Sequence, residues 1–451
     1  MLNNYIENAD VKVLKVALFI WGDLIEDFLD TLNLSFNDFC TEMTGGWLFG
    51  YVEALKLEGL QTVIVCISAQ VDELTWHCHQ PTGATICVVP ASRPYRWMRR
   101  SMKNPSGWRV DEVFGPRPWW SRPFWALLKN IAPYGATPLA LAEQALQQEG
   151  CAAILCQEYE YPRFDACVLL GQRLKLPVFA TFQGGNVQFS AFEKLIRPHT
   201  LRACAGLIVP SRTEIDRLQQ TYGVPTNKIA QIFNPLDLTV WRGDSNDVLP
   251  KQRAHVRTQL GIPQAAEVVV YHGRMEQYRK GLDILLDAWE QLCQKYPDRP
   301  WWLLLVGTGS DAAALAERIA CLPKPTVCWV NQYITDRGLM QQYLRAADLY
   351  VLPSRHEGFP VAPLEAMACG LPIIATEVPG VADILEKNEQ SGGIRVPCND
   401  VDSLTLALSR LLNDRDLRHH LGMCARQRIE ESFSLSSVGG KLRNFIFSEK
   451  C

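Results

Sequence analysis

Arg355-His356-Glu357-Gly358-Phe359-Pro360-Val361-Ala362-Pro363-Leu364-Glu365-Ala366-Met367-Ala368-Cys369-Gly370-Leu371-Pro372 is the stretch whose reading decides the fold. It follows Asp348-Leu349-Tyr350-Val351-Leu352, an apolar run that predicts a buried strand ending at Pro353. Pro360 suits the first turn of a helix, where a missing amide proton costs nothing. Gly370 and Pro372 stop that helix, and Pro372-Ile373-Ile374-Ala375 starts another buried strand. On this reading Glu357 sits on the loop before the helix and Glu365 roughly two turns inside it. At about 1.5 Å per residue the carboxylates lie on the order of 10–12 Å apart along the axis. The helix mouth between them, with free amides and the positive dipole end, favours a phosphate or diphosphate. A ligand with hydroxyls at both ends and a diphosphate in the middle, such as a nucleotide sugar, matches that layout. The plainer alternative is a core strand–helix unit with two solvated glutamates.

The stretch resembles the donor-site signature of retaining nucleotide-sugar glycosyltransferases of family four, in which a Glu, seven residues and a second Glu recur. Here they are Glu357 and Glu365. A second pattern of that family lies upstream at Tyr271-His272-Gly273-Arg274-Met275-Glu276-Gln277-Tyr278-Arg279-Lys280-Gly281-Leu282-Asp283. Its Gly-Arg and Lys-Gly pair falls on Gly273, Arg274, Lys280 and Gly281. The resemblance implies an α/β GT-B fold, two Rossmann-like doubly wound domains facing across a cleft. It implies that Arg274 and Lys280 grip the diphosphate, Glu357 faces the transferred sugar and Glu365 holds the ribose hydroxyls. Gly307, Tyr333, Gly358, Phe359 and Val361 complete the implied donor site. Asn331 stands where the family usually has a glycine, so the fit around the base differs.

The chain of 451 residues is long enough for two domains, each with its own core. Apolar residues make up 47% and charged ones 21%, the balance of an ordinary globular protein. The net charge of −3 gives no bulk attraction to nucleic acid, so none is expected as a partner. Fifteen cysteines without a repeated spacing suggest buried thiols in a reducing compartment rather than a disulfide framework. His77-Cys78-His79 has the right residue types for a metal, but no second cluster completes a four-ligand site. No apolar run reaches the roughly eighteen residues needed to span a bilayer. Glu7 and Asp10 before the first apolar run do not fit a secretory signal, which suggests a cytoplasmic protein.

Working outward, Val13 to Trp21 predicts the first buried strand. The Gly45-Gly46 pair after it resembles the glycine-rich loop of GT-B N-terminal domains, where backbone approaches a phosphate or acceptor. Further strands are predicted at 62–67, 86–90, 152–156, 177–182, 206–211, 267–271, 303–306 and from 326. Glu158 and Glu160 follow the strand at 152–156, at the carboxyl end where ligands bind in open α/β sheets. Both are acceptor-site candidates, with helix capping as the alternative. Gln183-Gly184-Gly185 follow the strand at 177–182, where many family members carry a histidine pointing at the reacting sugar. A glutamine can donate a hydrogen bond but cannot carry a proton, so no catalytic histidine is assigned.

The resulting domains are 1–237 for the acceptor, 238–432 for the donor, and a tail, 433–451, crossing back to the first. Trp241 to Lys251 reads as a polar, irregular hinge. Residues 91–130 form an insertion in which nine Arg and Lys between Arg93 and Lys129 face only Asp111 and Glu112. Eight aromatic rings interleave with them. That mixture suits an anionic membrane surface, with peripheral attachment at the inner membrane face; solvated charges over packed rings is the alternative.

The function these features imply is transfer of a hexose from a nucleoside diphosphate sugar to a carbohydrate, lipid-linked or small-molecule acceptor. Arg274, Lys280 and Glu357 would do the chemistry, with no cofactor and no metal, because no carboxylate cluster is set out to bind one. A GT-B epimerase or phosphorylase, or a degenerate binding module, would share the architecture; the Glu357–Glu365 spacing beside Arg274 and Lys280 favours the transferase.

Overall fold

The structure, a computed structural model, describes residues 13–30, 34–103, 109–184, 191–242 and 249–448. Two sheets organise them. The first contains β1 (Lys15–Asp23), β2 (Gln61–Ser68), β3 (Thr75–Cys78), β4 (Thr85–Pro90), β5 (Cys151–Cys156), β6 (Val178–Thr181), β7 (Gly206–Val209) and β8 (Ile229–Gln231). Its spatial order is β3-β4-β2-β1-β5-β6-β7-β8, and only the β3–β4 pair is antiparallel. The second contains β9 (Glu267–His272), β10 (Trp301–Val306), β11 (Val327–Val330), β12 (Leu349–Leu352), β13 (Ile373–Thr376) and β14 (Gly393–Val396). Its order is β11-β10-β9-β12-β13-β14, all parallel.

Helices on both faces are why the central strands are apolar throughout rather than alternating. Val16 to Ile20 in β1 and Val268 to Tyr271 in β9 are all buried. Strand order reverses between β1 and β5 in the first sheet and between β9 and β12 in the second. Crevices at such reversals, beyond the strands' carboxyl ends, are where open α/β sheets bind ligands.

The helix after β12 departs from expectation. It runs from Ala362 to Ala368, so Glu365 lies in its first turn and not two turns inside. The reason is Pro363. Had the helix begun at Pro360, Pro363 would hold the position whose amide makes the first intrahelical bond, and proline has none. Three strands also escaped the sequence reading. β3 is a half-exposed edge strand, β8 has three residues, and β14 mixes glycine and arginine with its apolar pair. The expected irregular hinge is flanked by helices at Leu238–Arg242 and Leu249–Gln259, and Trp241 is buried in the second core.

The last helix, Leu435–Phe447, packs on the Gly46–Leu57 helix beside the first sheet. A methyl on Gly439 would sit 2.5 Å from the Ala54 carbonyl, and the Phe445 ring lies 5.5 Å from Phe179.

In the basic insertion part of the charge is internally satisfied: Arg96 pairs with Asp72, Arg99 with Asp27 and Arg122 with Asp111. Arg117 lies over the Trp125 ring. Arg93 and Arg100 form no ion pair among the described residues and are exposed. Trp97, Trp119, Trp120 and Phe124 are 58–82% exposed, so these rings are not packed on the domain. No helix among the described residues is long and apolar enough to cross a membrane.

Candidate active site

β9 ends at His272 and β12 at Leu352, so the loops leaving them emerge side by side at the second sheet's reversal. Gly281, at φ +63°, presses against the Pro353 carbonyl so closely that a methyl there would collide with it. Only glycine tolerates both the conformation and the approach. The contact fixes the Gln277–Lys280 turn against the β12 loop. Lys280 Nζ thereby lies 2.8 Å from Glu357 Oε1, which also accepts the Ser354 hydroxyl at 2.6 Å. Lys280 and Glu357 side chains are 16% and 9% exposed, so the pair is largely screened from water.

Glu365 Oε2 lies 2.8 Å from Nε2 of His272, a residue the sequence reading passed over. The signal was available: His272 closes β9 and directly precedes Gly273-Arg274. Arg274 differs from expectation. Its side chain is 73% exposed and reaches Glu276 at 3.7 Å, so the guanidinium stands on the rim and does not converge with Lys280. A long side chain on a water-facing loop has no packing to hold it inward. Its backbone is held, because the Tyr271 hydroxyl donates to the Arg274 carbonyl at 3.0 Å.

The remaining donor-side residues divide. The Gly273 carbonyl occupies the space a methyl on Gly307 would need, so the β9 and β10 loops meet there. Tyr333 follows β11 and is 57% exposed. The Phe359 ring is a correction: it is buried against the stacked Phe233 and Phe433 rings, leaving only its backbone to meet a ligand. Val361 caps the Ala362–Ala368 helix. Gly358 touches Gly184 of the first lobe, and a methyl on either would strike the other's backbone. The candidate acceptor loop and the loop carrying Glu357 are therefore in direct contact.

On the acceptor side, Gly45 precedes the helix that Gly46 begins, and the Arg337 guanidinium fills the place of a Gly45 side chain. Glu158 is a correction. It is 3% exposed, and its two oxygens accept the Gln183 and Glu160 amides at 2.9 and 3.0 Å. Burial, with Glu160 nearby, pushes its carboxyl well above the usual range. It braces the β6 loop and is not presented to an acceptor. Glu160 pairs with Arg217 at 2.6 Å. The Gln183 side chain donates to the Thr181 hydroxyl at 3.0 Å. Gly185 lies outside the described residues.

The end of β1 carries a network the sequence did not reveal, because its members are far apart in the chain. Arg163 pairs with Asp23 at 2.8 Å and Tyr95 donates to the other Asp23 oxygen at 2.6 Å, all three buried. These groups fill the floor of the first sheet's reversal with the protein's own side chains.

His79 is a structural histidine. Its nitrogens contact the Thr82 hydroxyl at 2.7 Å and the Met43 carbonyl at 2.8 Å, and its ring stacks on Phe49. Among the described residues no group of three or more His, Cys, Asp or Glu is arranged to hold a metal, and every cysteine is a free thiol.

Two doubly wound lobes, with charged loops at one sheet's reversal touching a glycine loop of the other, define a GT-B glycosyltransferase fold. Residues 266–414 match the family model described as Glycosyl transferases group 1, and residues 111–240 match Glycosyltransferase Family 4. Each model covers about a third of the chain, and both describe glycosyltransferases. It is 30% identical over 231 residues to a D-inositol 3-phosphate glycosyltransferase of Jonesia denitrificans, covering 50% of this chain and 53% of that one. It is also 30% identical over 207 residues to a GDP-mannose-dependent monoacylated alpha-(1-6)-phosphatidylinositol monomannoside mannosyltransferase of Corynebacterium glutamicum, covering 44% and 52%. The chain thus spans about half the length of the curated relatives it matches. In fold it resembles Anabaena HepE, solved in complex with UDP, at a TM-score of 0.67 and 14% identity over 96% of this chain and 99% of that one.

Proposed function

We propose that this protein transfers a hexose from a nucleoside diphosphate sugar to a carbohydrate or lipid-linked acceptor held by the first lobe. Transfer retains the anomeric configuration and uses no metal. The observation that carries the reading is the Lys280–Glu357 pair, set by Gly281 at the second sheet's reversal, with Gly184 of the other lobe against the adjoining Gly358. As the bond between sugar and diphosphate lengthens, negative charge grows on the leaving group and the sugar takes on oxocarbenium character. Lys280 supplies a nearby point charge to that anion, and Arg274, exposed on the rim beside Glu276, folds onto two of its oxygens. Such charges act most strongly in a closed cleft. Glu357, relieved of Lys280, accepts hydrogen bonds from the sugar hydroxyls and sets the ring's position. The retaining course rests on the family resemblance, and the acceptor class on the exposed rings of the insertion together with the phosphatidylinositol-bearing name of one relative.

The test is turnover of a panel of nucleotide sugars, followed as free nucleoside diphosphate with NMR of the product's anomeric centre. The expected result is release from one donor, an unchanged anomeric configuration, and a rate that EDTA leaves unaltered. No release from any donor, or a rate abolished by EDTA and restored by a divalent cation, contradicts the reading.

The same proposal places the enzyme in the cytoplasm at an anionic membrane face, through the insertion. Tryptophan favours headgroup depth and each nearby cation adds about 1 kcal/mol on anionic lipid. Flotation with anionic liposomes is expected to carry the protein upward, neutral liposomes much less. An Arg93→Glu, Arg100→Glu variant is expected to lose most of that difference. Binding indifferent to lipid charge would contradict it.

A further inference from the structure

We propose that His272 is a positioning residue for nucleotide recognition: it holds the Glu365 carboxylate in the orientation that accepts both hydroxyls of a ribose. The inference rests on reading the site as one for a nucleoside diphosphate sugar, and names how that site selects a ribonucleotide.

His272 is the last residue of β9, and its side chain is 6% exposed. Its ring lies edge-on to Tyr350 with centroids 5.4 Å apart, and the Tyr350 hydroxyl donates to the His272 carbonyl at 3.3 Å. Ring and backbone are thus both held by the neighbouring strand β12. Nε2 lies 2.8 Å from Glu365 Oε2, while Nδ1 is buried with no hydrogen-bond partner among the described residues. A carboxylate only accepts, so the ring carries its proton on Nε2. That proton takes one of the carboxylate's roughly four acceptor positions, leaving enough for a vicinal diol to donate twice.

The contact matters because of where Glu365 stands. It lies in the first turn of a seven-residue helix and its side chain is only 18% exposed. Unrestrained, a glutamate would lose rotamer freedom each time it closed on a ligand. Tied to a ring fixed by Tyr350, it meets the ligand already oriented. Second partners that orient the groups touching a ligand act in the same way at metal sites, where their loss costs 10–100-fold.

The experiment is calorimetric titration of the full chain with UDP, GDP and ADP, and with the 2′,3′-dideoxy form of whichever binds. The parent is expected to bind the ribonucleotide about tenfold more tightly than its dideoxy form, the size of a hydrogen bond to a charged group. His272→Leu is expected to weaken the ribonucleotide about tenfold and leave the dideoxy form unchanged, so that the two bind alike. His272→Gln, which retains an N–H donor, is expected to recover part of the preference. A His272→Leu protein that keeps the parental ratio overturns the inference, and so does one that loses both forms equally, the mark of a merely structural role. If the parent binds none of the three diphosphates, the reading of the site itself falls, and the inference with it.

Discussion

Replacing Lys280 by alanine is expected to lower donor turnover by about 10²–10³-fold, with the structure intact. The scale is that of removing one preorganised donor from a site where charge develops in the transition state. Lys280 fits that role because it is held, not because it is merely positive. Gly281 locks its turn against Pro353, and its ammonium already lies 2.8 Å from Glu357 inside a screened pocket. Arg274, at 73% exposure, lacks that preorganisation and must give up solvent and rotamer freedom to reach the ligand. Arg274→Ala alone is therefore expected to cost less than Lys280→Ala. Single-variant kinetics of nucleoside diphosphate release check the order. Equal rates for parent and Lys280→Ala would remove the lysine from the mechanism.

The second large effect is expected at the seam between the lobes. Gly184→Ala should lower kcat/KM by about 10²-fold while leaving nucleoside diphosphate affinity close to parental. Gly184 has φ +98°, costly for any residue with a side chain, and its α-carbon lies against the Gly358 backbone. A methyl there meets main chain, which no rotamer change relieves. The first lobe must then stand off the loop bearing Glu357. Displacement by about 1 Å is enough to cost two orders of magnitude in a group transfer. Because Lys280 and Glu365 belong to the second lobe, donor binding should survive. Calorimetry beside steady-state kinetics separates the two, and an unchanged kcat/KM would show that this contact plays no part in the reaction.

The parts of the molecule legible in the sequence were those written locally. The strand at Leu349–Leu352, the stop at Gly370 and the spacing of Glu357 from Glu365 all lie in one continuous stretch, and the strand and the stop recur in the structure with small boundary shifts. What escaped was written at long range. The Gly184–Gly358 contact joins positions in different lobes, and nothing in either loop names its partner. The Glu158 carboxylate looked like a ligand group because strand ends are where ligands bind. Only the fold shows the Gln183 and Glu160 amides already occupying it. Phe359 lies two positions from Glu357 in the sequence, yet its ring serves the core through Phe233 and Phe433. The helix start has a local cause: Pro363, which lacks the amide for the first intrahelical bond, overrides the start signal of Pro360.

The proposed function stands on residues 273–281 and 354–365 forming one site for a nucleoside diphosphate sugar. Amide hydrogen exchange, with and without a nucleoside diphosphate that calorimetry shows to bind, tests it most directly. Slowed exchange confined to those two loops and the turn after β10 is the expected result. Slowed exchange elsewhere, with these loops unaffected by a bound nucleotide, would contradict it.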